Sequence, residues 1–311
     1  MTKIITVPQL AEPTRLDKFL VRELGLHWSR TAIQQAIKKG RIKVDEKKVM
    51  VHHFLKKSEI ITVPELANNE IPPAKISPNP SILFKVVAET PDFIVVDKPT
   101  GLVVHPAQGL HESTLADGLV AYYPDLANVG EDPLRPGIVH RLDREASGLM
   151  VVARTPAMFS YLKKEFQEHK VHKQYQALVV GQVSQPSGTI NFPLARSKSK
   201  SGKTAARPQE AEDTKSAITH YDVLKRFQQT TLLNVTIATG RTHQIRAHLQ
   251  ALGYPLVGDK LYSHKKINFK GTPGRLFLHA TQLSFTDKEG IKHTFTSPLP
   301  TELQNFLNTL S

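Results

Sequence analysis

Between Gly137 and Ala153 the chain breaks the pattern of a core strand. Ile138 and Val139 open an apolar run, which stops for His140, Arg141, Asp143, Arg144 and Glu145. It resumes after Ser147 as Gly148-Leu149-Met150-Val151-Val152-Ala153. The pattern predicts a strand interrupted to display charges and then continued. Local rules that fail in this way often mark functional sites. An aspartate in arginine-rich surroundings can be a nucleophile, a general base or half of a structural ion pair. Taken alone, the structural pair is the commonest of the three.

The partner suggested by charge is a polyanion. The 311 residues carry 41 Lys and Arg against 28 Asp and Glu, a formal net charge of +13. Such an excess favours nucleic acid or an anionic surface, the bland alternative being a merely basic globular protein. There are no cysteines, so disulfides, thiolate metal sites and cysteine nucleophiles are excluded. The fourteen histidines are scattered without ligand spacing, and no nucleotide-binding glycine loop appears. The first residues lack the apolar segment and small-residue site of a signal peptide, and no run is long enough to span a bilayer. The expectation is a cytoplasmic protein without metal or membrane contact.

The length allows a large domain plus a small one. Residues 14–75 read as the small domain. Thr14 can cap a helix with Leu16, Phe19, Leu20 and Leu24 at helical spacing and Gly25 as its stop. Trp28 and Ser29 open a second helix, from Arg30 to Lys39, ended by Gly40. Short alternating pieces follow at 41–44, 49–51 and 59–63. Arg30, Lys38, Lys39, Arg41, Lys43, Lys47, Lys48, Lys56 and Lys57 follow this unit with little acidic compensation. That suits a phosphate-contacting surface as well as a solvated face. The prolines at 64, 72, 73, 78 and 80 predict a semi-extended linker over 64–80. The large domain is expected over 81–311.

In that domain strands are expected near 83–88, 93–96, 173–180, 217–227, 230–238, 276–283 and 292–296. Helices are expected at 114–123, 155–169, 242–252 and 301–310. Residues 195–216 show no periodicity and read as a long mobile loop. The fold class is therefore α+β with a mostly antiparallel sheet flanked by helices and loops. Two further constellations carry chemistry. Tyr175, in Lys173-Gln174-Tyr175, can stack on a base, donate a hydrogen bond or move a proton, or simply be a strand aromatic. In Gly240-Arg241-Thr242-His243-Gln244-Ile245-Arg246-Ala247-His248, a helix start with Arg and His alongside suits phosphate. Arg246 and His243 are expected on one helical face. The alternative for this stretch is a basic, solvated helix.

Segment 14–63 resembles the S4-like RNA-binding domain through Arg15-Leu16-Asp17, Ser29-Arg30, the Ile33 and Ile37 face and Gly40-Arg41-Ile42-Lys43-Val44. It departs from that family at the hairpin tip, where Asp45-Glu46-Lys47 replaces the usual Asn-Gly. The rest of the chain resembles the RluA-type pseudouridine synthases. The resemblance rests on Asp97-Lys98-Pro99, Gly101, His140-Arg141-Leu142-Asp143, the Lys173 and Tyr175 strand, Thr219-His220-Tyr221, Gly240 to His248 and Pro255-Leu256-Val257-Gly258-Asp259, in the family's order. It implies isomerisation of uridine in RNA without a cofactor. On the family pattern Asp143 is the catalytic aspartate, either attacking the anomeric carbon or starting elimination from the sugar. Arg246 would pair with it and Tyr175 would stack on the base. Ile245 would wall the ring, and Arg141 would fill the gap left by the extruded nucleotide. His140, Arg241, His243 and the basic Arg30, Lys39, Arg41 and Lys43 would contact RNA.

Gly101 to Pro106 and Tyr122-Tyr123-Pro124 look like the D-type enzymes, which act on the helix 69 stem-loop of large-subunit ribosomal RNA. Arg275 to Ala280 also looks like the C-type, which modifies other sites of that RNA. The expected state is a monomer whose partner is large-subunit RNA, free or in a pre-ribosomal particle. The rivals are a non-catalytic ribosome-assembly factor on the same fold and a glycosylase that releases free uracil.

Overall fold

The computed structural model describes residues 3–9, 12–24, 30–64, 75–107, 112–197, 203–207, 214–262 and 272–311, apart from the side chains of 30–32. The stop at Gly25 and the opening at Trp28 and Ser29 lie outside these residues. The chain forms two compact units, residues 1–75 with 107–111, and residues 76–106 with 112–311.

The first unit contains β1 (Lys3–Thr6), α1 (Leu16–Leu24), α2 (Arg30–Lys38), β2 (Lys43–Val44) and β3 (Ile60–Val63). Its sheet runs β1-β3-β2, antiparallel throughout. Leu16, Phe19, Leu20 and Leu24 of α1 meet Ile33, Ala36 and Ile37 of α2 in one core with Ile42, Val44, Ile61 and Val63. Asp17 is buried between Arg15, which donates to both its oxygens at 2.9 Å, and Gln34 at 2.7 Å. The quoted Arg15-Leu16-Asp17 thus joins the two helices. The β1 strand is unforeseen from the sequence, because four residues are too few for period-two alternation to be distinctive. The piece at 49–51 forms no strand. Although its residues differ, the hairpin tip takes the two-residue backbone that Asn-Gly favours. Asp45 and Glu46 both take positive φ, 47° and 58°, and their carboxylates accept from Ile60 N and Thr62 Oγ1 at 2.9 Å.

The second unit is built on a nine-stranded sheet. Its elements are β4 (Lys85–Glu89), β5 (Phe93–Lys98), α3 (Leu115–Tyr122), β6 (Ser147–Ala153), α4 (Pro156–Gln167), β7 (His172–Val180), β8 (Ser187–Ile190), β9 (Leu194–Arg196), β10 (Thr204–Ala206), β11 (Thr219–Arg226), β12 (Thr230–Ile237), α5 (Gln244–Ala251), β13 (Leu278–Thr286), β14 (Lys292–Thr296) and α6 (Thr301–Asn308). The sheet order is β4-β5-β6-β13-β7-β12-β11-β8, with β14 also on β13. Every pairing is antiparallel except β6 with β13. The mixed, mostly antiparallel α+β class is as the sequence predicts. β6 is buried along its whole length at the centre, which accounts for its unbroken apolar run.

Three local expectations are corrected. The stretch opening at Gly137 is a reversal instead of an interrupted strand. Gly137 takes φ +65°, and Ile138 pairs antiparallel with Val152. The two apolar arms therefore lie side by side, and the charges sit in the loop between them. Within 195–216, of which 198–202 and 208–213 lie outside the described residues, β9 and β10 form an antiparallel pair, and Thr204 N donates to Tyr262 Oη at 2.8 Å. Three-residue strands of Ala, Thr and Arg have no apolar periodicity to read. At the end of the expected linker, residues 76–80 are bound to the second unit, with Ser77 N donating to Asp117 Oδ1 at 2.6 Å and Asn79 N to Asp117 O at 3.1 Å. The same Asp117 caps α3 through Thr114 N at 2.7 Å.

Candidate active site

Asp143 stands in the loop ahead of β6, and its chain neighbours are engaged elsewhere. Arg144 Nε donates to Gly101 O at 3.1 Å, and its Nη2 pairs with Glu112 at 2.8 Å. Arg144 O accepts from Gly101 N at 2.8 Å, and Glu145 O from Thr100 Oγ1 at 2.8 Å. Beneath them Lys98, fully buried at the end of β5, donates to Pro99 O, Leu102 O and Arg144 O at 2.8, 2.9 and 3.2 Å. Burial pushes its amine down to about 7. Lys98 thus stitches the 99–102 turn to the Asp143 loop, while Leu142 plugs that loop into the core.

The partner of Asp143 is on α5. Arg246 Nη1 donates to Asp143 Oδ2 at 3.3 Å. The stronger hold on Arg246 is Asp259, which accepts from Nε at 2.8 Å and Nη2 at 2.9 Å in a two-pronged pair. Asp259 Oδ1 also accepts from Leu261 N and Tyr262 N, each at 2.9 Å. Burial raises the Asp259 carboxyl, but Arg246 and these amides outweigh it and hold the group below the usual carboxylate range. The Arg246 guanidinium lies 5.1 Å from the Tyr262 ring centroid. Tyr262 is itself fixed by Thr204, and burial raises its phenol to about 12. Arg246 is therefore aimed by Asp259 and Tyr262, leaving one nitrogen for Asp143.

The start of α5 is set by Gln244. Its Oε1 accepts from Thr239 Oγ1 at 2.8 Å and Arg241 N at 3.0 Å. Its Nε2 donates to Ile218 O at 2.9 Å and Thr219 Oγ1 at 3.1 Å. His243 precedes the helix with φ 54°, so it shares no helical face with Arg246, contrary to the sequence expectation. A left-handed residue cannot continue an α-helix. The His243 ring meets Tyr262 Oη at 3.3 Å, and burial foremost keeps it below the usual imidazole value. His248 is fully buried between Thr219 Oγ1 and Phe192 O, at 2.9 and 2.8 Å, so it is unavailable to phosphate.

Asp143, Tyr175 and Ile245 line a small recess of about 60 Å³, with Arg141, Arg241 and His243 also on its wall. Tyr175 lies on β7, opposite Val235 on one side and Ala280 on the other, and is 5 % exposed. Burial, then the charge of Asp143, pushes its phenol up, so it stays protonated at neutral pH. Arg141 is exposed, with Nη1 3.4 Å from His105 Nε2. Arg241 is exposed at the turn and donates to Ser216 O at 3.2 Å. The recess adjoins a larger cleft of about 580 Å³, walled in part by His140, Phe166 and Lys173. His140 Nε2 accepts from Val151 N at 3.0 Å, and the ring stacks on Phe166 at 4.5 Å. Burial, then the Lys173 ammonium, pushes His140 down to about 3, so the ring is neutral at neutral pH.

The structure thus brings Asp143, Tyr175, Ile245, Arg141, His140, Arg241 and His243 around two adjoining hollows, with Arg246 behind them joined to Asp143. Lys39, Arg41 and Lys43 lie in the first unit, where Lys39 and Arg41 are exposed and Lys43 half-buried, 3.6 Å from Glu46. The side chain of Arg30 is outside the described residues. Sequence reasoning gave no role to Asp259, Tyr262, Gln244 or Lys98. Lys98, Gln244 and Asp259 had one visible signal, their place in the motifs that carry the family resemblance, and Tyr262 had none.

Residues 92–251 match the family model described as RNA pseudouridylate synthase, and residues 14–61 match the S4 domain. The chain is 36% identical to an RNA pseudouridine synthase of Bacillus subtilis, over 98% of this chain and 97% of that protein. It is 32% identical to the ribosomal large subunit pseudouridine synthase D of Yersinia pestis, over 98% and 93%. Among solved structures it is similar to human RNA pseudouridylate synthase domain containing 1, with a TM-score of 0.59 and 26% identity, over 72% of this chain and 87% of that one.

Proposed function

The chain belongs to the RNA pseudouridylate synthase family, with an S4 domain ahead of the catalytic one, and we propose that Asp143 is the residue on which its uridine isomerisation turns. The observation that carries this is the pairing of Asp143 Oδ2 with Arg246 at the wall of a recess shared with Tyr175 and Ile245. Only one carboxylate oxygen is occupied, since Asp143 Oδ1 has no recorded hydrogen bond among the described residues. It is free to face a sugar.

In the isomerisation the bond from N1 to the anomeric carbon breaks and uracil takes the electron pair. The ring turns, and carbon five joins the anomeric carbon. Carbon five loses its proton and N1 gains one. A carboxylate at an anomeric centre serves the same logic in glycosidases. Attack by Asp143 on that carbon and elimination begun by Asp143 as base both put it on the sugar. Tyr175, protonated and walled by Ile245, is suited to stack on the ring and to donate a hydrogen bond. Its raised phenol argues against a resting phenolate base. The target nucleotide must leave its stack to reach the recess, and Arg141, which is exposed, would fill the gap.

The substrate we propose is large-subunit ribosomal RNA, at the helix 69 stem-loop, in a cytoplasmic setting. Support comes from the D-type sequence resemblance and from large-subunit relatives of Yersinia pestis, Nitrosomonas europaea and Pseudomonas aeruginosa at 32, 34 and 39% identity. The test is pseudouridine mapping after incubation with unmodified ribosomal RNA. Wild type is expected to convert uridines in helix 69 and Asp143→Asn to convert none. Equal product from Asp143→Asn, or release of free uracil, would overturn the mechanism. Binding without product from the wild type would favour the assembly factor. Product at other positions of the RNA would favour the C-type assignment.

A further inference from the structure

The larger cleft contains a cation that the isomerisation does not use. Lys173 lies two residues before Tyr175 on β7, so the pleat turns both side chains to one face. It is 7 % exposed, yet its Nζ reaches the cleft wall and lies about 4.0 Å from where a side chain on Gly240 would begin. Gly240 borders both cleft and recess. Among the described residues no carboxylate lies within ion-pair distance of Nζ and no hydrogen bond to it is recorded. Nζ lies 5.3 Å from the Phe166 ring centroid, and its charge is felt by His140. The cleft lining includes Arg135, Arg141, Lys163, Lys173 and Arg241 and no acid. Arg135 and Lys163 have outside partners in Asp132 and Glu131. Burial alone lowers the Lys173 amine to about 8, so it remains mostly charged at neutral pH.

An ammonium partly withdrawn from water is disfavoured unless a partner compensates it. A methionine would fill the same space without that cost, so the charge at 173 lacks a structural reason. An ammonium at the wall of this cleft, without a hydrogen-bond partner among the described residues and with no acid in the described lining, matches one ligand chemistry, an anionic oxygen cluster. The adjoining recess takes the extruded uridine on the reading above, and on that reading the anion nearest the recess belongs to the RNA itself. We propose that Lys173 anchors a backbone phosphate flanking the target uridine, and that the cleft is the subsite through which the strand beside that uridine runs.

The test combines Lys173→Met and Lys173→Arg with RNA stem-loops in which the phosphate on one side of the target uridine is a neutral methylphosphonate. Lys173→Met is expected to fold with an unchanged or raised Tm, because it removes an uncompensated charge. Its KM should rise about 10- to 100-fold, the range of one charge-assisted hydrogen bond, with kcat little changed. Its log–log salt slope should fall by about one. Lys173→Arg should recover most of the loss. One of the two methylphosphonates should raise KM for wild type and leave Lys173→Met unaffected. Equal KM for wild type and Lys173→Met, or equal sensitivity of both to each methylphosphonate, would overturn the proposal. So would inorganic phosphate competing at Lys173 while neither methylphosphonate has an effect, because the ligand would then be a free anion. Absence of pseudouridine from wild type on unmodified RNA would instead sink the functional reading and leave Lys173 to be judged by binding and salt slope alone.

Discussion

Arg246 and Asp143 are 103 positions apart, and what joins them is a second acid. Arg246 is 6 % exposed and Asp259 fully buried, so their two-pronged pair sits where an unpaired charge is least tolerable. Asp259→Asn would remove the charge and one of the two acceptors, leaving Asp143 as the guanidinium's carboxylate partner and loosening its aim. The expected outcome is a loss of about 3–5 kcal/mol in stability and a fall in kcat, read by denaturant unfolding and by pseudouridine formation. Unchanged stability and kcat would show that Asp259 does not aim Arg246. At this scale residue types were informative in the sequence: an aspartate among charges, a tyrosine on a strand, an arginine without a local acid. The pairing of Arg246 with Asp143 came only through the family resemblance and not from the residues themselves, since Arg144 is nearer in the chain to Asp143 and yet turns to Glu112.

Elements bring these residues together, and a close join lies between β6 and β13. They pair in parallel at Ser147 with His279 and Gly148 with Ala280. Gly148 has φ +114°, and a Cβ there would stand 2.3 Å from Ala280 O. Gly148→Ala would have to part the strands and accept a conformation that L residues avoid. We expect a loss of about 3 kcal/mol or more, with activity falling too, since the Asp143 loop enters β6 here. A Tm and kcat matching wild type would show that the strands yield without cost. Beside this glycine, Ser147 Oγ meets His279 Nδ1 at 2.8 Å and accepts from Arg275 Nη2 at 2.6 Å, tying the two strands through buried polar groups. Most strands of the large unit could be read from apolar runs. The join could not, since a glycine in a strand signals close approach without naming what approaches.

For the whole molecule, each unit has a core of its own, Leu16 to Val63 in one and Phe93 to Phe285 in the other. Deleting residues 1–75 is expected to leave a chain that unfolds cooperatively, binds RNA more weakly and has a shallower dependence of binding on salt. Each lost phosphate contact should remove roughly 0.7–0.9 from the log–log slope. An unchanged slope would mean that the first unit contributes no phosphate contact. Charge, missing cysteines, apolar periodicity and the ordered motifs were enough, in the sequence alone, to set the α+β class and a polyanionic partner. These depend on composition and on spacing along one dimension. The tertiary structure decided which acid aims Arg246, that the charged stretch from His140 to Glu145 is a loop between two paired arms, and that Lys173 faces a cleft without acids. Each depends on contacts between residues far apart in the chain, which burial and hydrogen bonding select and which local sequence does not encode.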